Sequence, residues 1–286
     1  MVYNIGMKVG IYTNLKKAQA REVTEQLIDC LKLHSIDYYL HKSFEGKIEG
    51  KYFTFENLEF DIMFALGGDG TILKLAKHCA KKDIPIFGIN IGTVGFLTEI
   101  EPEQISTLVP KVLDGEYNIE HRSMISYKDG DDEFTALNDI VLNREYNSKL
   151  MLLDLYINGE IVDRYYCDGF IVSTPTGSTA YSLSAGGAIL SPHAQALALT
   201  PINSHSLHSR PIVVNDNEKI TLKVLKKEPF NLIADGDVVM DKYVGEVTIE
   251  KSKKSATFIR LDHHNFYNKL LKKLNKWSVA DIEEKY

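Results

Sequence analysis

At 286 residues, with a formal net charge of −6 and an ordinary hydrophobic content of 44%, the chain can bury one large core or two modest ones, and the charge disfavours nucleic acid as its main partner. No apolar run approaches the length that spans a bilayer, and the opening MVYNIGMKVGIYTN lacks the charged-then-apolar layout of a secretory leader. Cys30, Cys79 and Cys167 are scattered, without metal-type spacing, and read as reduced thiols of a cytoplasmic protein; His205-x-x-His208 and His263-His264 lack accompanying ligands for zinc.

In chain order, residues 8–12 read as a strand, and residues 17–33 as a helix with Ala20, Val23, Leu27 and Leu31 on one face. Residues 36–40 form a second expected strand, and residues 42–59, with glycines and no clean period, a loop. Residues 62–66, IMFAL, are a continuous apolar run, the pattern of a strand buried on both faces. Gly67, Gly68 and Gly70 then permit a tight turn, and Thr71 opens a helical pattern. Residues 84–89 are another apolar strand, followed by NIGTVGFL at 90–97 and by a helix with Pro102 in its first turn and its end near Gly115. Strands alternating with helices imply an α/β domain with a parallel sheet, whose ligands bind at the strand ends.

After Tyr117 the pattern changes. Residues 119–127, 134–142, 150–157 and 160–166 are strand-like, and Asn158-Gly159 is the strongest hairpin turn in the chain. Further strands are expected at 169–173, 212–214, 219–225, 230–234, 246–250 and 256–261. The expected architecture is therefore an α/β domain over 1–117, a mainly antiparallel β domain over 118–261, and a basic C-terminal helix within 262–286. Phe266, Leu270, Leu274 and Trp277 form the apolar stripe of that helix. Docking on its own first domain, with the lysines as the wet face, is the reading preferred over membrane or calmodulin contact.

Two segments carry chemistry. In DIMFALGGDGT, at 61–71, a strand, a glycine turn and a helix N-terminus aim free backbone N–H groups at one point, which makes a phosphate cradle. Asp69 is the odd member, because a carboxylate repels phosphate. It makes sense as a base for a hydroxyl, an orienting group or a Mg²⁺ ligand, all of which point to phosphoryl transfer onto an alcohol; the plain alternative is an N-cap. In CDGFIVSTPTGSTAYSLSAGG, at 167–187, Thr174, Thr176, Ser178, Thr179, Ser182 and Ser184 crowd around Gly177. Such hydroxyls suit a ligand rich in ribose and amide groups, whereas capping accounts for one or two of them. No P-loop, dinucleotide fingerprint or serine-hydrolase elbow occurs.

The motifs GGDGT at 67–71, NxGxxGFL at 90–97, LND at 137–139, DGxxxSTPTGSTAYSxSAGG at 168–187, HSLxxRP at 205–211 and DG at 235–236 resemble NAD kinase, in family order and across nearly the whole chain. The resemblance implies ATP-dependent phosphorylation of the adenosine ribose 2′-hydroxyl of NAD to give NADP, with Mg²⁺ or another divalent metal and an NAD site formed largely between domains. It also implies a homodimer or homotetramer, and no nucleic-acid or membrane partner. The rivals are another kinase of the glycine-Asp superfamily, acting on a lipid or sugar phosphate, and a regulator that binds NAD or NADP without turnover.

By position in these motifs, the resemblance makes Asp69 the base, with Gly67, Gly68, Gly70 and Thr71 beside the phosphate. Lys74 is read either as a phosphate contact or as a solvated helix position. Asn138 and Asp139 are expected to hold adenosine, Asp168 the nicotinamide side, and Thr179, Ala180, Tyr181 and Ser184 the adenine and ribose wall; Asn203, Tyr166 and Asp237 complete the candidate set. Asp139 stands where Glu is frequent, Tyr166 where some members carry Arg, and Asp237 where Gln is common. The metal ligands are left unassigned.

Overall fold

The structure is a computed structural model and describes residues 6–92, 95–145, 148–206, 208–225, 229–261 and 266–275. Two compact units result, one comprising Met1–His121 with Ala256–Tyr286 and the other Arg122–Ser255.

The first unit opens with β1 (Lys8–Thr13), α1 (Ala20–Leu33), β2 (Asp37–His41), β3 (Lys51–Phe53), β4 (Ile62–Gly67), α2 (Asp69–Cys79), β5 (Ile86–Asn90) and α3 (Ile105–Leu113). The strands pair in parallel in the order β5-β4-β1-β2-β3. Val9, Ile11, Phe64, Leu66, Phe87 and Ile89 pack with Leu27 and Leu31 of α1 and Val109 of α3 on one face. On the other face α2 lies so close that a Cβ on Gly88 would come within 2.8 Å of Ile72 Cδ1. The chain winds from β1 toward β2 in one direction and from β4 toward β5 in the other. The switch point between β1 and β4 is where open α/β sheets leave a crevice.

β6 (Asn118–Asp129) leads into the second unit, with β7 (Asp132–Ala136), β8 (Asp139–Arg144), β9 (Met151–Ile157), β10 (Glu160–Cys167), β11 (Gly169–Ser173), the short α4 (Tyr181–Ser184), β12 (Ala196–Ile202), β13 (Ile212–Asn215), β14 (Ile220–Val224), β15 (Phe230–Ala234), β16 (Asp237–Tyr243) and β17 (Glu246–Arg260). Antiparallel order runs β13-β12-β11-β8-β15-β16 in one sheet and β10-β9-β14-β17 in the other. Leu153, Leu155, Tyr165, Leu222 and Val247 meet Phe170, Val172, Leu199, Phe230 and Leu232 in one core. Asn158 and Gly159 both take positive φ, 52° and 87°, and close the β9–β10 hairpin as expected.

Several elements depart from the sequence reading. The segment read as a loop, 42–59, contains β3 and a 3₁₀ turn at Lys42–Phe44. Helix α2 begins at Asp69 rather than Thr71, which puts the carboxylate in its first turn. The single strand expected at 134–142 is two, because the chain bends at Leu137-Asn138. β12 was not expected: it is almost wholly buried, so it lacks alternation, and it contains Pro201. β16 is mostly exposed and charged, which hides its period. The polar stretch EKSKKS looked like a break, yet β17 runs straight through it.

The last five residues of β17 belong to the first unit, where Phe258 pairs in parallel with Ile86, and the chain ends its described course in α5 (Phe266–Asn275). Trp277, the His263-His264 pair and the Leu274 side chain lie outside the described residues. Among the described residues no helix is long and apolar enough to cross a membrane. Arg260 anchors this end of the unit. It is buried, pairs with Glu99 at 2.9 Å and Glu120 at 2.7 Å, and donates to the Leu97 carbonyl at 3.0 Å. Arg260→Met strands two buried carboxylates, which costs roughly 3–5 kcal/mol and lowers the Tm by about 10 °C. A loss below about 3 °C in a thermal melt would show that the pair is not what holds this segment.

Candidate active site

The sequence-predicted residues fall into two groups, one in each unit. In the first unit a cavity of about 380 Å³ opens at the switch point, lined by Asn14 and Lys17 after β1, Gly68 to Thr71 after β4, Gly95, and Lys273 of α5. Gly68 caps α2 in an extended conformation, and the Thr71 N–H returns to the Gly68 carbonyl at 2.9 Å. Gly67 must lack a side chain, because a Cβ there would overlap Thr71.

Asp69 does not point away as a bare anion. Oδ2 accepts the Phe96 N–H and Oδ1 the Leu97 N–H, both at 3.0 Å, and Oδ2 also meets Lys273 Nζ at 3.4 Å. A Cβ on Gly95 would overlap Oδ1, so the second glycine turn closes directly on the acid of the first. The carboxylate keeps partial exposure, and its remaining lone pairs are available to a hydroxyl in the cavity. Lys74 is not part of this lining; it is exposed, with Nζ 5.7 Å from the Tyr12 ring centroid.

In the second unit, Asp235 organises the bend that splits β7 from β8. Its carboxylate accepts the N–H groups of Leu137, Asn138 and Asp139 at 2.8, 2.7 and 3.3 Å. Asp235 and Gly236 take the positive φ values of a tight turn. Asp139 is buried; burial, with the Asp235 charge as a smaller cause, pushes its carboxyl up to about 7. The Asn138 carbonyl receives the Thr174 N–H at 2.8 Å, and a Cβ on Gly177 would overlap it.

Asp168, Tyr181 and Asn203 do come together, around a recess of about 240 Å³ also lined by Asn143, Arg144, Glu145 and Ile202. Arg144 Nε donates to Asp168 Oδ1 at 2.5 Å and Asn203 Nδ2 to Oδ2 at 2.9 Å. These two bonds, Arg144 first, hold the Asp168 carboxyl below its usual range. Tyr181 and Ser184 are exposed on α4, while Thr179 and Ala180 are half-buried before it. Tyr166 is exposed, its ring edge-on to His205, and Asp237 is exposed just after the β15–β16 turn.

The crowd of hydroxyls also serves the protein's own backbone. Thr174 Oγ1 donates to the Leu137 carbonyl, Ser178 Oγ to Pro175, and Thr179 Oγ1 to Thr176; Ser182 bonds Thr200, and Thr176 accepts from Arg122. They satisfy the backbone of an irregular buried turn, and only Ser184 of the six is exposed. Lys17, Lys273 and Arg144, which line these two cavities, were not singled out from the sequence, and Asp235 was noted there only as part of a motif. The signal for Lys17 was its place just after the first parallel strand; for Arg144, that Asp168 needed a cation.

A parallel sheet with an acid-bearing glycine cradle at its switch point, joined in one chain to an antiparallel β unit, defines a nucleotide-handling phosphotransferase architecture. The ATP-NAD kinase N-terminal domain model matches residues 9–117 and the C-terminal domain model residues 137–261. NAD kinases of Christiangramia forsetii and Thermoanaerobacter sp. are 36% and 38% identical to the chain; each alignment covers 94% of it, and 97% and 99% of the relative. The NAD kinase of Methanothermobacter thermautotrophicus is 34% identical over 97% of the chain and 99% of its own length. Among solved structures, yeast NADH kinase complexed with NADH superposes with a TM-score of 0.84 at 25% identity, covering 96% of this chain and 89% of that one. An NAD kinase from Archaeoglobus fulgidus in complex with ATP gives 0.77 at 30% identity, covering 94% and 99%. The chain belongs to the ATP-NAD kinase family.

Asp139 sets a pH dependence. Its folded pKa of about 7 lies above the ordinary 3.8, so between those values the folded state holds a proton that the unfolded state has lost. Its contribution to stability therefore falls as the pH rises through that window and stays low above it. Ligand-free Asp139→Asn is expected to gain Tm over the parent at about pH 8 and to lose most of that advantage by about pH 4. Parallel Tm curves for the two proteins across this range would contradict the buried-acid assignment.

Proposed function

We propose that the protein transfers the γ-phosphate of ATP to the 2′-hydroxyl of the adenosine ribose of NAD, giving NADP and ADP. The observation that carries this reading is the Asp69 carboxylate, oriented by two backbone N–H donors inside a glycine cradle at a helix N-terminus. The 2′-oxygen attacks the γ-phosphorus in line, the bond to the β,γ-bridging oxygen breaks, and Asp69 takes the hydroxyl proton. Gly68, Gly70 and Thr71 offer backbone to the phosphates, and Gly67 leaves room for Thr71. No part in this chemistry is proposed for Lys74.

The Asp168 recess is proposed to receive polar groups of NAD, with Tyr181 and Ser184 as an exposed wall, and Asn138 and Asp139 to face the adenosine. Tyr166 and Asp237 have the weakest support, since neither lines the recess. The domain roles follow: 1–117 for phosphate, 118–261 for NAD, and a C-terminal helix completing the first. A divalent ion such as Mg²⁺ supplies charge neutralisation on the triphosphate. Among the described residues no three His, Cys, Asp or Glu side chains gather as a metal-holding group. The ion is proposed to ride on the phosphates. A homodimer or homotetramer and a cytoplasmic location complete the proposal; buried free Cys30, Cys79 and Cys167 suit a reducing compartment.

Asp69→Asn tests the central step. The amide cannot take the proton, so kcat is expected to fall at least about a hundredfold. It also replaces one accepting oxygen with a donor, so one of the bonds to Phe96 and Leu97 is lost. Calorimetric titration separates the two effects: NAD affinity should stay within a few-fold of the parent's if the loop survives. Turnover within a few-fold of the parent would reduce Asp69 to a turn residue.

A further inference from the structure

The switch-point cavity holds a cation delivered from the far end of the chain. Lys273 of α5 sets its Nζ 3.4 Å from Asp69 Oδ2 and 4.1 Å above the centroid of the Phe96 ring. The same Phe96 gives its N–H to Oδ2. Carboxylate, ammonium and ring therefore form one cluster, and the lysine lines the cavity with Gly68, Gly70 and Thr71. The helix is seated independently of this side chain. The Phe266 ring packs 5.6 Å from Phe96, and half-buried Lys269 donates to the Thr98 carbonyl at 2.6 Å. The expectation that the α5 lysines form its wet face is thus corrected at two positions: Lys269 is half-buried in the unit and Lys273 turns into the cavity.

A phosphoryl group entering beside Asp69 meets a like charge, and backbone dipoles offset only part of it. Lys273 is suited to supply the rest. An aromatic face holds an ammonium without consuming its N–H donors, and an ammonium carries three. The Asp69 contact, at 3.4 Å, is long for a charge-assisted hydrogen bond, and the lysine side chain keeps 36% exposure. It can turn toward a phosphate oxygen while its stem stays on Phe96.

We propose that Lys273 is the phosphate-neutralising residue of the site, moving its ammonium from Asp69 to a non-bridging oxygen of the transferred phosphoryl group. This rests on the reading of Asp69 as the base. The exchange makes and breaks no covalent bond. It frees a lone pair on Oδ2 as the phosphate arrives, so the acid has more capacity for the hydroxyl in the filled cradle than in the empty one. The C-terminal helix is then a working part of the site.

The test uses the full-length protein and two substitutions, Lys273→Met and Lys273→Arg. Inorganic tripolyphosphate binding is followed by calorimetry, and turnover by NADP formation. Lys273→Met is expected to leave the Tm within about 3 °C, as an exposed ion pair should. It should weaken tripolyphosphate binding about tenfold or more and lower kcat by about 10- to 100-fold, with KM for NAD unchanged. Lys273→Arg should recover most of both losses. Tripolyphosphate affinity and kcat within about twofold of the parent in Lys273→Met would overturn the proposal, leaving an ordinary surface ion pair. A rise in kcat would overturn it too, by making the lysine a brake. If Lys273→Met does not fold, equal affinity in Lys273→Arg and the parent supports the cation, and loss in Lys273→Arg refutes a charge role. Failure of the kinase reading looks different: the parent then makes no NADP, while the tripolyphosphate titrations still decide for or against Lys273.

Discussion

Two hydrogen bonds organise the first unit around its chemistry: the Phe96 and Leu97 N–H groups donated to the Asp69 carboxylate. They tie the turn after β4 to the turn after β5, adding to the Ile91 N–H bond to the Gly67 carbonyl at 3.2 Å where the two strands end. The link explains Gly95, whose Cβ would overlap the acid. It also explains why the following residues are held so firmly. The Leu97 carbonyl is fixed by Arg260 and the Thr98 carbonyl by Lys269, so the donors that aim Asp69 are themselves aimed. A carboxylate in the first turn of α2 gains roughly 0.3–1 kcal/mol from the helix dipole. That alone would not fix its orientation; the paired donors do.

The second unit uses a carboxylate in the same way. Asp235 gathers three consecutive N–H groups at the bend where Asn138 and Asp139 are presented. There the arrangement has a cost: burial, with the Asp235 charge as a smaller cause, raises the carboxyl of the neighbouring Asp139 to about 7. The shared pattern is an acid that shapes backbone on behalf of a second group, and in the first unit both duties fall on Asp69 alone.

How much of this could be read from the sequence follows from the range of each interaction. The apolar run before Gly67 and the glycines after it are local, so strand, turn and helix were legible together with the acid they carry. The Asn158-Gly159 hairpin was legible for the same reason. β12 was not, since burial on both faces erases the alternation that marks a strand, and Pro201 argues against one. β17 was read as two because its exposed middle looks like a loop. The hydroxyl segment was legible as a composition, but its internal bonds were not: a hydroxyl on Thr174 looks the same in sequence whether it meets a ligand or the Leu137 carbonyl. Arg144 with Asp168 and Lys273 with Asp69 depend on tertiary pairing, 24 and 204 residues apart, which no local pattern records.

The distance in sequence between Lys273 and Asp69 has a physical logic. Phosphoryl transfer asks one cavity for two opposed fields, a negative one at the attacking hydroxyl and a positive one at the phosphate. Two unit charges about 4 Å apart interact by about 4 kcal/mol near a protein surface, so a fixed cation beside a fixed base would hold that base in an ion pair. The chain avoids this by giving the two charges different supports. Asp69 is clamped at both oxygens by rigid backbone, whereas Lys273 stands at the end of a long side chain, on a ring that constrains its position more than its direction. A short, backbone-held acid and a long, reorientable cation can share a cavity and still divide their work once phosphate enters. That division requires the two residues to come from separately anchored elements, and here they come from the first turn of α2 and the last turn of α5.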